Sequence, residues 1–429
     1  MQKNEKLNLS QNLARDFVNN IEKNLYFSIN EKTESVTFKL EKILKAFSNA
    51  NLNVQHFASL TGYGHSDLGR NTIDKIFADV LEAEKAAVRV QFVSGTHAIA
   101  SSLFGVLRPG DNLLSITGKP YESLEEVIGL RGSGQGSLIE FGISYDEISL
   151  KSNGNIDFLA LKNALNVPRK LIFIQRSCGY TWRPSLSIQV ISEICNLCHE
   201  IQPDCICFVD NCYGEFVENR EPTAVGADLI AGSLIKNLGG TIVPTGGYVA
   251  GKASLVDKAC CRLTSPGIGS EGGITFDLNR TILQGLFIAP QMVAEALIGA
   301  DIISSSFSRL GYEVLPTSGA MRSDLIQIVR IGDAKILQMI CRSFQEKSPI
   351  GSFLDPIPAQ MPGYTNNLIM AGGTFIDGST SEFSADAPMK PPFELFIQGG
   401  SHRSHVKIAL IHALSNLFQA GLIKLPQND

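Results

Sequence analysis

The fold is decided by the stretch CICFVDNCYGEFVENREPTAVGADLIAGSLIKNLGG, which covers residues 205–240. Two short apolar runs inside it, CICFVD and DLIAGSL, indicate buried strands. The first run ends in Asp210, and the second is followed by Lys236. The carboxyl ends of inner strands face the crevice in which open α/β sheets bind ligands. The stretch therefore predicts both a sheet and a site at its edge.

Short apolar runs continue to alternate with helical spacing on both sides of this stretch. Strands are predicted at 87–94, 111–117, 170–176 and 246–251, and helices at 72–86, 97–107, 122–130 and 186–199. Such alternation is typical of an α/β domain with a mainly parallel sheet.

The chain is expected to contain an N-terminal helical segment at 1–55, a large domain at 56–300 and a small α+β domain at 301–429. In the small domain the runs EVLP, LIQIVR, NLIMAGGTF and ELFIQGG predict a second sheet. The stretches 351–364 and 377–388, rich in Pro and in Ser and Gly, predict loops.

Composition narrows the class of protein. Of the 429 residues 44% are hydrophobic and 18% charged, which predicts a large core or surface buried in an oligomer. The formal net charge of −5 argues against a nucleic-acid partner. No apolar run is long enough to suggest a membrane span. Nine cysteines without an apolar signal segment favour reduced thiols in the cytoplasm.

A turn of small residues, Ser94-Gly95-Thr96, lies between a predicted strand and a predicted helix. Backbone N–H groups and the positive helix end converge at such a turn, which suits a phosphate group. An ordinary turn capped by a hydroxyl group has the same sequence, and Asp210 could likewise be a cap or turn residue. Both alternatives stay open at this point.

Lys236 lies among small and apolar residues, a setting expected to lower its pKa and make it an amine nucleophile. It follows Asp210 by 26 residues. Pyridoxal phosphate needs a phosphate cradle, a carboxylate for its ring nitrogen and a lysine. Tyr121, after a predicted strand, could stack on the cofactor ring. These residues together predict a site for pyridoxal phosphate.

Five segments carry a resemblance to a known family: TGYGHSDLGR, QFVSGTHAI, VDNCYGEF, GADLIAGSLIKN and IQGG with HVKIAL. The chain resembles the pyridoxal-phosphate enzymes of fold type I, and within them the cystathionine-γ-synthase-like group. It is most similar to the methionine-γ-lyase-like family often labelled "aluminium resistance protein". The resemblance implies a mainly parallel seven-stranded sheet in the large domain and a smaller C-terminal α+β domain.

The resemblance also implies residue roles. Gly95 and Thr96, beside Ser94, would hold the phosphate with the help of Ser233. Tyr121 would stack on the ring, Asp210 would pair with its nitrogen, and Lys236 would bind it covalently. Tyr63 and Arg70 would reach the phosphate of a neighbouring subunit, which implies a homo-oligomer, a dimer or tetramer with shared sites.

The expected activity is β- or γ-elimination or replacement on a sulfur-containing amino acid, as in methionine γ-lyases and cystathionine β-lyases. Alternatives are transamination, decarboxylation or aldol cleavage on the same scaffold, or a non-catalytic stress protein. This chain has Cys178 where the family tends to have Arg, and Arg403 where it tends to have Tyr. The run ELFIQGG lacks the Arg that binds the substrate carboxylate in better-known relatives.

A local metal-like spacing occurs at Cys195, Cys198 and His199. No second pair stands at zinc-finger spacing, so the expectation is buried, inert thiols and no metal.

Overall fold

The computed structural model describes residues 2–361 and 364–424, with side chains from residue 8 onward. The chain divides into two compact units. The seven-stranded unit comprises residues 38–290, and the five-stranded unit comprises residues 1–37 together with 291–429. This division differs from the predicted one, because the N-terminal helical segment is split between the units.

The seven-stranded unit contains a mainly parallel sheet, as predicted. Its strands are β1 (Lys85–Arg89), β2 (Asn112–Ser115), β3 (Ser144–Glu147), β4 (Leu171–Gln175), β5 (Ile206–Asp210), β6 (Leu229–Ser233) and β7 (Gly247–Gly251). Their order is β1-β7-β6-β5-β4-β2-β3, and only β7 runs antiparallel to its neighbours. Every residue of β4, β5 and β6 is buried, which explains why these strands read as continuous apolar runs.

Eleven α-helices lie in the described part of the chain. They are α1 (Gln2–Asn24), α2 (Tyr26–Asn49), α3 (Leu68–Val80), α4 (Gly95–Val106), α5 (Glu122–Ile128), α6 (Phe158–Ala164), α7 (Ile188–Ile201), α8 (Ala253–Leu263), α9 (Asn279–Arg309), α10 (Ala334–Gln345) and α11 (Arg403–Gln419). In the seven-stranded unit α4 and α8 pack on each other and on β7, and bury Leu103, Val106 and Val256 in one core.

The five-stranded unit has an antiparallel sheet in the order β10-β11-β12-β9-β8. The strands are β8 (Glu313–Leu315), β9 (Gln327–Arg330), β10 (Leu368–Ala371), β11 (Ser384–Pro388) and β12 (Glu394–Gln398). Helix α11 packs on both α1 and α10, so the two ends of the chain share one core.

The loop predicted at 377–388 is wrong over its last five residues, which form β11. The sequence SADAP has low strand propensity, but β11 lies between β10 and β12 and buries Ala385 and Ala387 completely. Small side chains in the interior of the sheet have overridden local propensity.

Although the sequence shows no uninterrupted apolar run of that length, helix α9 is long and apolar enough to cross a membrane by length and composition alone. However, 78% of its most apolar 18-residue stretch is buried inside the protein. This burial is what a core helix requires.

Candidate active site

The predicted phosphate turn forms the start of α4. Ser94 is the N-cap residue, and its Oγ accepts a hydrogen bond of 3.1 Å from the backbone N–H of His97. A Cβ atom on Gly95 would lie 3.1 Å from Ser233 Cβ and 3.2 Å from Cys212 Sγ. Glycine therefore lets the first turn of α4 approach the end of β6 closely, leaving a cradle lined by N–H groups.

Tyr121 joins this turn to the neighbouring strand ends. Its hydroxyl group forms a hydrogen bond of 3.1 Å with Thr96 Oγ1, and its backbone N–H donates to Gln175 Oε1 at 3.0 Å. Burial, with a contribution from the Asp210 charge, raises the pKa of Tyr121 well above its ordinary value. The phenol therefore keeps its proton at neutral pH.

Asp210 is the last residue of β5 and is only 5% exposed. Its Oδ1 accepts a hydrogen bond of 3.1 Å from the backbone N–H of Cys212. Burial raises the pKa of this carboxyl group, and the charge of Lys236 partly opposes that effect. Within the described part of the chain, no lysine or arginine forms an ion pair with Asp210. The carboxylate thus lacks the close cationic partner that a buried charge needs.

Lys236 follows β6, and its Nζ lies 3.9 Å from the centroid of the Tyr213 ring, a cation–π contact. The expectation of a lowered pKa is wrong for this structure. Burial by itself would lower the pKa of Lys236, but nearby acidic groups outweigh it and raise the pKa. Those groups are Cys212, Tyr213, Asp210 and Glu215. The amine is therefore held as a cation and must lose a proton before it can act as a nucleophile.

Most of the predicted site residues converge at the carboxyl edge of the sheet in the seven-stranded unit. Ser233 ends β6, is buried, and accepts a hydrogen bond of 3.3 Å from the backbone N–H of Ile235. The group that comes together consists of Ser94, Gly95, Thr96, Tyr121, Asp210, Ser233 and Lys236.

Tyr63 and Arg70 differ in their settings. The Tyr63 side chain is 81% exposed and its ring stacks on His65 at 5.6 Å. Arg70 is fully buried, and its Nη1 donates to the carbonyl oxygens of Gly64 at 2.7 Å and Gly273 at 3.1 Å. In this conformation Tyr63 is accessible to another chain, whereas Arg70 holds two segments of its own chain together.

Three neighbours of the site were not singled out from the sequence. Gln175 positions Tyr121, Tyr213 contacts Lys236, and Glu215 contributes to the raised pKa of Lys236. Tyr213 has a φ of 71°, a left-handed conformation that is rare for a bulky residue and often marks a functional position. Only the run NCYGEF directly after Asp210 could have drawn attention to it.

Arg403, a departure from the resembled family, has a structural role in the five-stranded unit. Its Nη2 pairs with Glu295 Oε1 at 2.8 Å, and its backbone N–H donates to Glu295 Oε2 at 2.8 Å. The pair ties the start of α11 to α9.

Comparison with solved structures identifies the structural class of the fold. The pyridoxal-5′-phosphate-dependent protein YhfS of Escherichia coli shares the fold alone, with 17% identity, a TM-score of 0.59, and coverage of 90% of this chain and 97% of its own. The architecture is accordingly that of the fold type I pyridoxal-phosphate enzymes.

The family follows from closer matches. The family model described as methionine gamma-lyase matches residues 14–418, and the chain belongs to this family. The protein YnbB of Bacillus subtilis strain 168 is 46% identical over 92% of this chain and 94% of its own. A carbon-sulfur lyase involved in aluminum resistance from Clostridium novyi NT is 41% identical, with a TM-score of 0.91 over 97% of this chain and 99% of its own.

The residues at the sheet edge fit the cofactor that the family implies. The absence of a Cβ atom at Gly95 brings the first turn of α4 close to the end of β6, and the N–H groups of that turn are donors that suit a phosphate group. Asp210 is a buried carboxylate without a cationic side chain in ion-pair contact, and a protonated ring nitrogen would supply that charge. The Lys236 amine and the Tyr121 ring complete the set of groups that pyridoxal phosphate requires.

Proposed function

We propose that the protein is a pyridoxal-phosphate-dependent carbon–sulfur lyase that catalyses β- or γ-elimination or replacement on a sulfur-containing amino acid. The observation that carries this proposal is the convergence of the Gly95 cradle, Tyr121, Asp210 and Lys236 at one sheet edge, in a chain of the methionine γ-lyase family. When bound, the cofactor withdraws electrons from the substrate carbon next to the amino group and makes its proton acidic.

Lys236 binds the cofactor covalently in this proposal and later moves protons at the substrate. The raised pKa of Lys236 means that the free amine starts as a cation beside Asp210 and Glu215. Loss of one proton to solvent converts this cation to a nucleophile. Once free, the amine is suited to take the proton from the substrate α-carbon and to deliver it to another atom of the substrate side chain.

Asp210 keeps the ring nitrogen of the cofactor protonated. A buried carboxylate with a raised pKa gains most from a cationic N–H partner, because an ion pair in a low-dielectric site favours both charged forms. Tyr121 stacks on the ring while its hydroxyl group stays fixed by Thr96. Ser94, Gly95, Thr96 and Ser233 hold the phosphate.

Assembly with shared sites is part of the proposal. Tyr63 is exposed and lies between Gly62 and Gly64 in the segment before α3, so it can reach the phosphate site of a second copy of the chain. Arg70 can take the same role only if its guanidinium leaves Gly64 and Gly273. We therefore expect a dimer or tetramer in which Tyr63 contributes more to the partner's site than Arg70 does in the described conformation.

A complementation experiment tests this assembly. Tyr63→Ala and Lys236→Ala are each expected to be inactive, and mixing them under subunit exchange is expected to restore activity. Only hybrid oligomers would contain a site with both native residues. Lack of recovery between inactive parents, with exchange demonstrated by mass spectrometry of differently tagged chains, would mean that each site is built within one chain.

We infer that the enzyme works in the cytoplasm on a small amino acid, without a nucleic-acid or membrane partner. None of the nine cysteines, all of which lie in the described residues, forms a disulfide. Reduced thiols are typical of that compartment.

The reaction is tested with the purified holoenzyme and L-methionine or L-cystathionine. The proposal expects a keto acid, ammonia and a thiol-containing product in equal amounts. Amino-group transfer without ammonia would indicate an aminotransferase, and formation of glycine and an aldehyde from a β-hydroxy amino acid such as L-threonine would indicate an aldolase. A cofactor absorption band that no amino acid perturbs, with no product, would favour the non-catalytic alternative.

A further inference from the structure

A second cluster of reactive side chains lies at the opposite edge of the same sheet from the candidate active site. His199 is in the last turn of α7, Cys207 is the second residue of β5, and Asp228 immediately precedes β6. The ligand atoms of these three residues all lie within 4.8 Å of one another. Asp228 and Cys207 are buried, and the His199 side chain is 29% exposed.

We propose that His199, Cys207 and Asp228 form a binding site for a thiophilic divalent cation of the Zn²⁺ class. A thiolate, an imidazole nitrogen and a carboxylate oxygen are the ligands that Zn²⁺ takes in proteins. The thiol disfavours hard cations such as Mg²⁺ and Ca²⁺, which prefer oxygen ligands. The site is independent of the proposed lyase activity.

Hydrogen bonds already hold the His199 and Asp228 side chains and the Cys207 backbone together. Asp228 Oδ2 lies 2.9 Å from His199 Nε2 and accepts a hydrogen bond of 2.8 Å from the backbone N–H of Cys207. Asp228 Oδ1 pairs with Lys252 Nζ at 2.6 Å. A cation would take the place of the proton between His199 and Asp228, and the backbone bond would keep the carboxylate in position.

The cluster supplies three protein ligands. Water entering beside the partly exposed His199 would supply the fourth ligand of a tetrahedral site. The Cys207 thiol loses its proton to solvent on binding, since thiolate is the form that coordinates a metal.

The position on β5 separates this site from the cofactor site. Cys207 precedes Asp210 by three residues, and at ~3.3 Å per residue the two lie about 10 Å apart along the strand. The expected role of the cation is to clamp α7, β5 and the start of β6. Its removal should lower stability and leave the reacting groups in place.

Cobalt titration of the holoenzyme tests the proposal directly. After chelator treatment, Co²⁺ is expected to bind once per chain with visible bands of tetrahedral geometry and a near-ultraviolet band of thiolate-to-cobalt charge transfer. Zn²⁺ should abolish both signals. A wild-type titration without the thiolate band, or without one-to-one stoichiometry, would overturn the site.

Variants then assign the ligands. Cys207→Ser and His199→Gln should each weaken Co²⁺ binding by more than about 100-fold, because even changing a residue that only hydrogen-bonds to a ligand costs ~10–100-fold in metal affinity. Cys341→Ser, which alters a buried cysteine in the five-stranded unit, is the matched control and should leave binding unchanged. Binding that survives in both ligand variants, or falls equally in the control, would contradict the assignment.

Lys252 offers a test that a purely structural polar cluster would not pass. Because Lys252 competes for Asp228, Lys252→Met should tighten Co²⁺ binding several-fold. The half-exposed Lys252 and the partly exposed His199 can be replaced with little risk to the core, and circular dichroism with the cofactor absorption band checks folding. Unchanged or weaker binding in Lys252→Met would remove Asp228 from the ligand set.

Discussion

Buried carboxylates in the two units have opposite electrostatic settings. In the five-stranded unit, burial alone would raise the pKa of Asp301, but Arg322 and Lys32 outweigh it and lower that pKa. The carboxylate lies 2.8 Å from Arg322 Nε and 2.7 Å from Lys32 Nζ. In the seven-stranded unit, burial raises the pKa of Asp210, and it raises the pKa of Glu215 to about 8.

The difference separates charges that hold the fold from charges prepared for chemistry. Asp301 has its cations within the chain and needs nothing else. Burial destabilises the charged forms of Asp210 and Glu215. The Lys236 amine is the cation that partly offsets this for both acids, without forming an ion pair with either. Strongly shifted groups in a cleft are typical of active sites. A buried acid that forms ion pairs with cationic side chains, such as Asp301, is thus expected to stabilise the fold. A buried acid without an ion pair, such as Asp210, is expected to act in the candidate active site.

The largest expected effect comes from replacing Lys236, the amine near Asp210 and Glu215. Lys236→Ala should lower turnover by at least about a thousandfold, as loss of a nucleophile does. Borohydride reduction and peptide mapping of the native enzyme should place the cofactor label on Lys236. Lys32→Ala, a lysine of the paired cluster, is the control and should keep the label. Label on any other lysine would break the comparison.

The paired acid should matter for stability and not for catalysis. Asp301→Asn leaves the buried Arg322 guanidinium without an anion, which should cost about 3–5 kcal/mol in the free energy of unfolding. Because the folded pKa of Asp301 is lowered, its contribution is present above the unfolded pKa and is lost as pH falls through the folded value. Urea unfolding at pH 7 and in acid measures this. A variant as stable as the wild type at pH 7 would refute it.

Asp210 should show the reverse pattern. Asp210→Asn is expected to retain the cofactor and lose turnover by roughly a hundredfold, about 2.7 kcal/mol in the activation barrier. The melting temperature of the apoprotein should stay the same or rise, because a buried charge without a close partner is removed. Near-normal turnover, or a stability loss like that of Asp301→Asn, would show that the two acids do not differ.

The smallest effect concerns Glu215, whose Oε1 accepts a hydrogen bond of 2.7 Å from the Tyr248 hydroxyl group. Its raised pKa means that the folded chain holds a proton that the unfolded chain releases. The stabilisation from this proton is therefore complete below pH 4.5, the ordinary pKa of a glutamate. It is lost as the pH rises through about 8, the pKa of Glu215 in the folded chain.

Glu215→Gln mimics the protonated acid, so its melting temperature relative to wild type should rise between pH 7 and 9. In the free energy of unfolding, the variant should gain on the order of 1 kcal/mol per pH unit at most relative to wild type. Thermal unfolding at several pH values measures it. A constant difference across this range would place the proton elsewhere.

The sequence predicted the parts of the fold that local pattern determines. Continuous apolar runs identified β4, β5 and β6, because strands of a parallel sheet are buried on both faces. Strand β11 was missed because its placement depends on neighbouring strands that buried its alanines and not on its own propensity. Likewise, the split of the first 55 residues follows from the packing of α1 on α11, far away in sequence.

The candidate site could be predicted for those reactive residues that lie at or just after the ends of strands. Asp210, Lys236 and the Gly95 turn could be placed at one edge by this rule. The raised pKa of Lys236 could not be predicted, since it depends on Cys212, Tyr213, Asp210 and Glu215 lying together beside the amine. Asp228 joins His199 and Cys207 in the same way, through a contact between strand and helix ends that no local spacing encodes.

The construction of the five-stranded unit from both chain ends has a consequence for biosynthesis. The ribosome synthesises α1 before residues 38–290 and α11 after them. At ~5–20 residues per second, Phe17, Val18 and Ile21 wait roughly 20–80 s for the helix that buries them. The seven-stranded unit can complete its folding during that interval. Until then the apolar face of α1 lacks the helix that covers it.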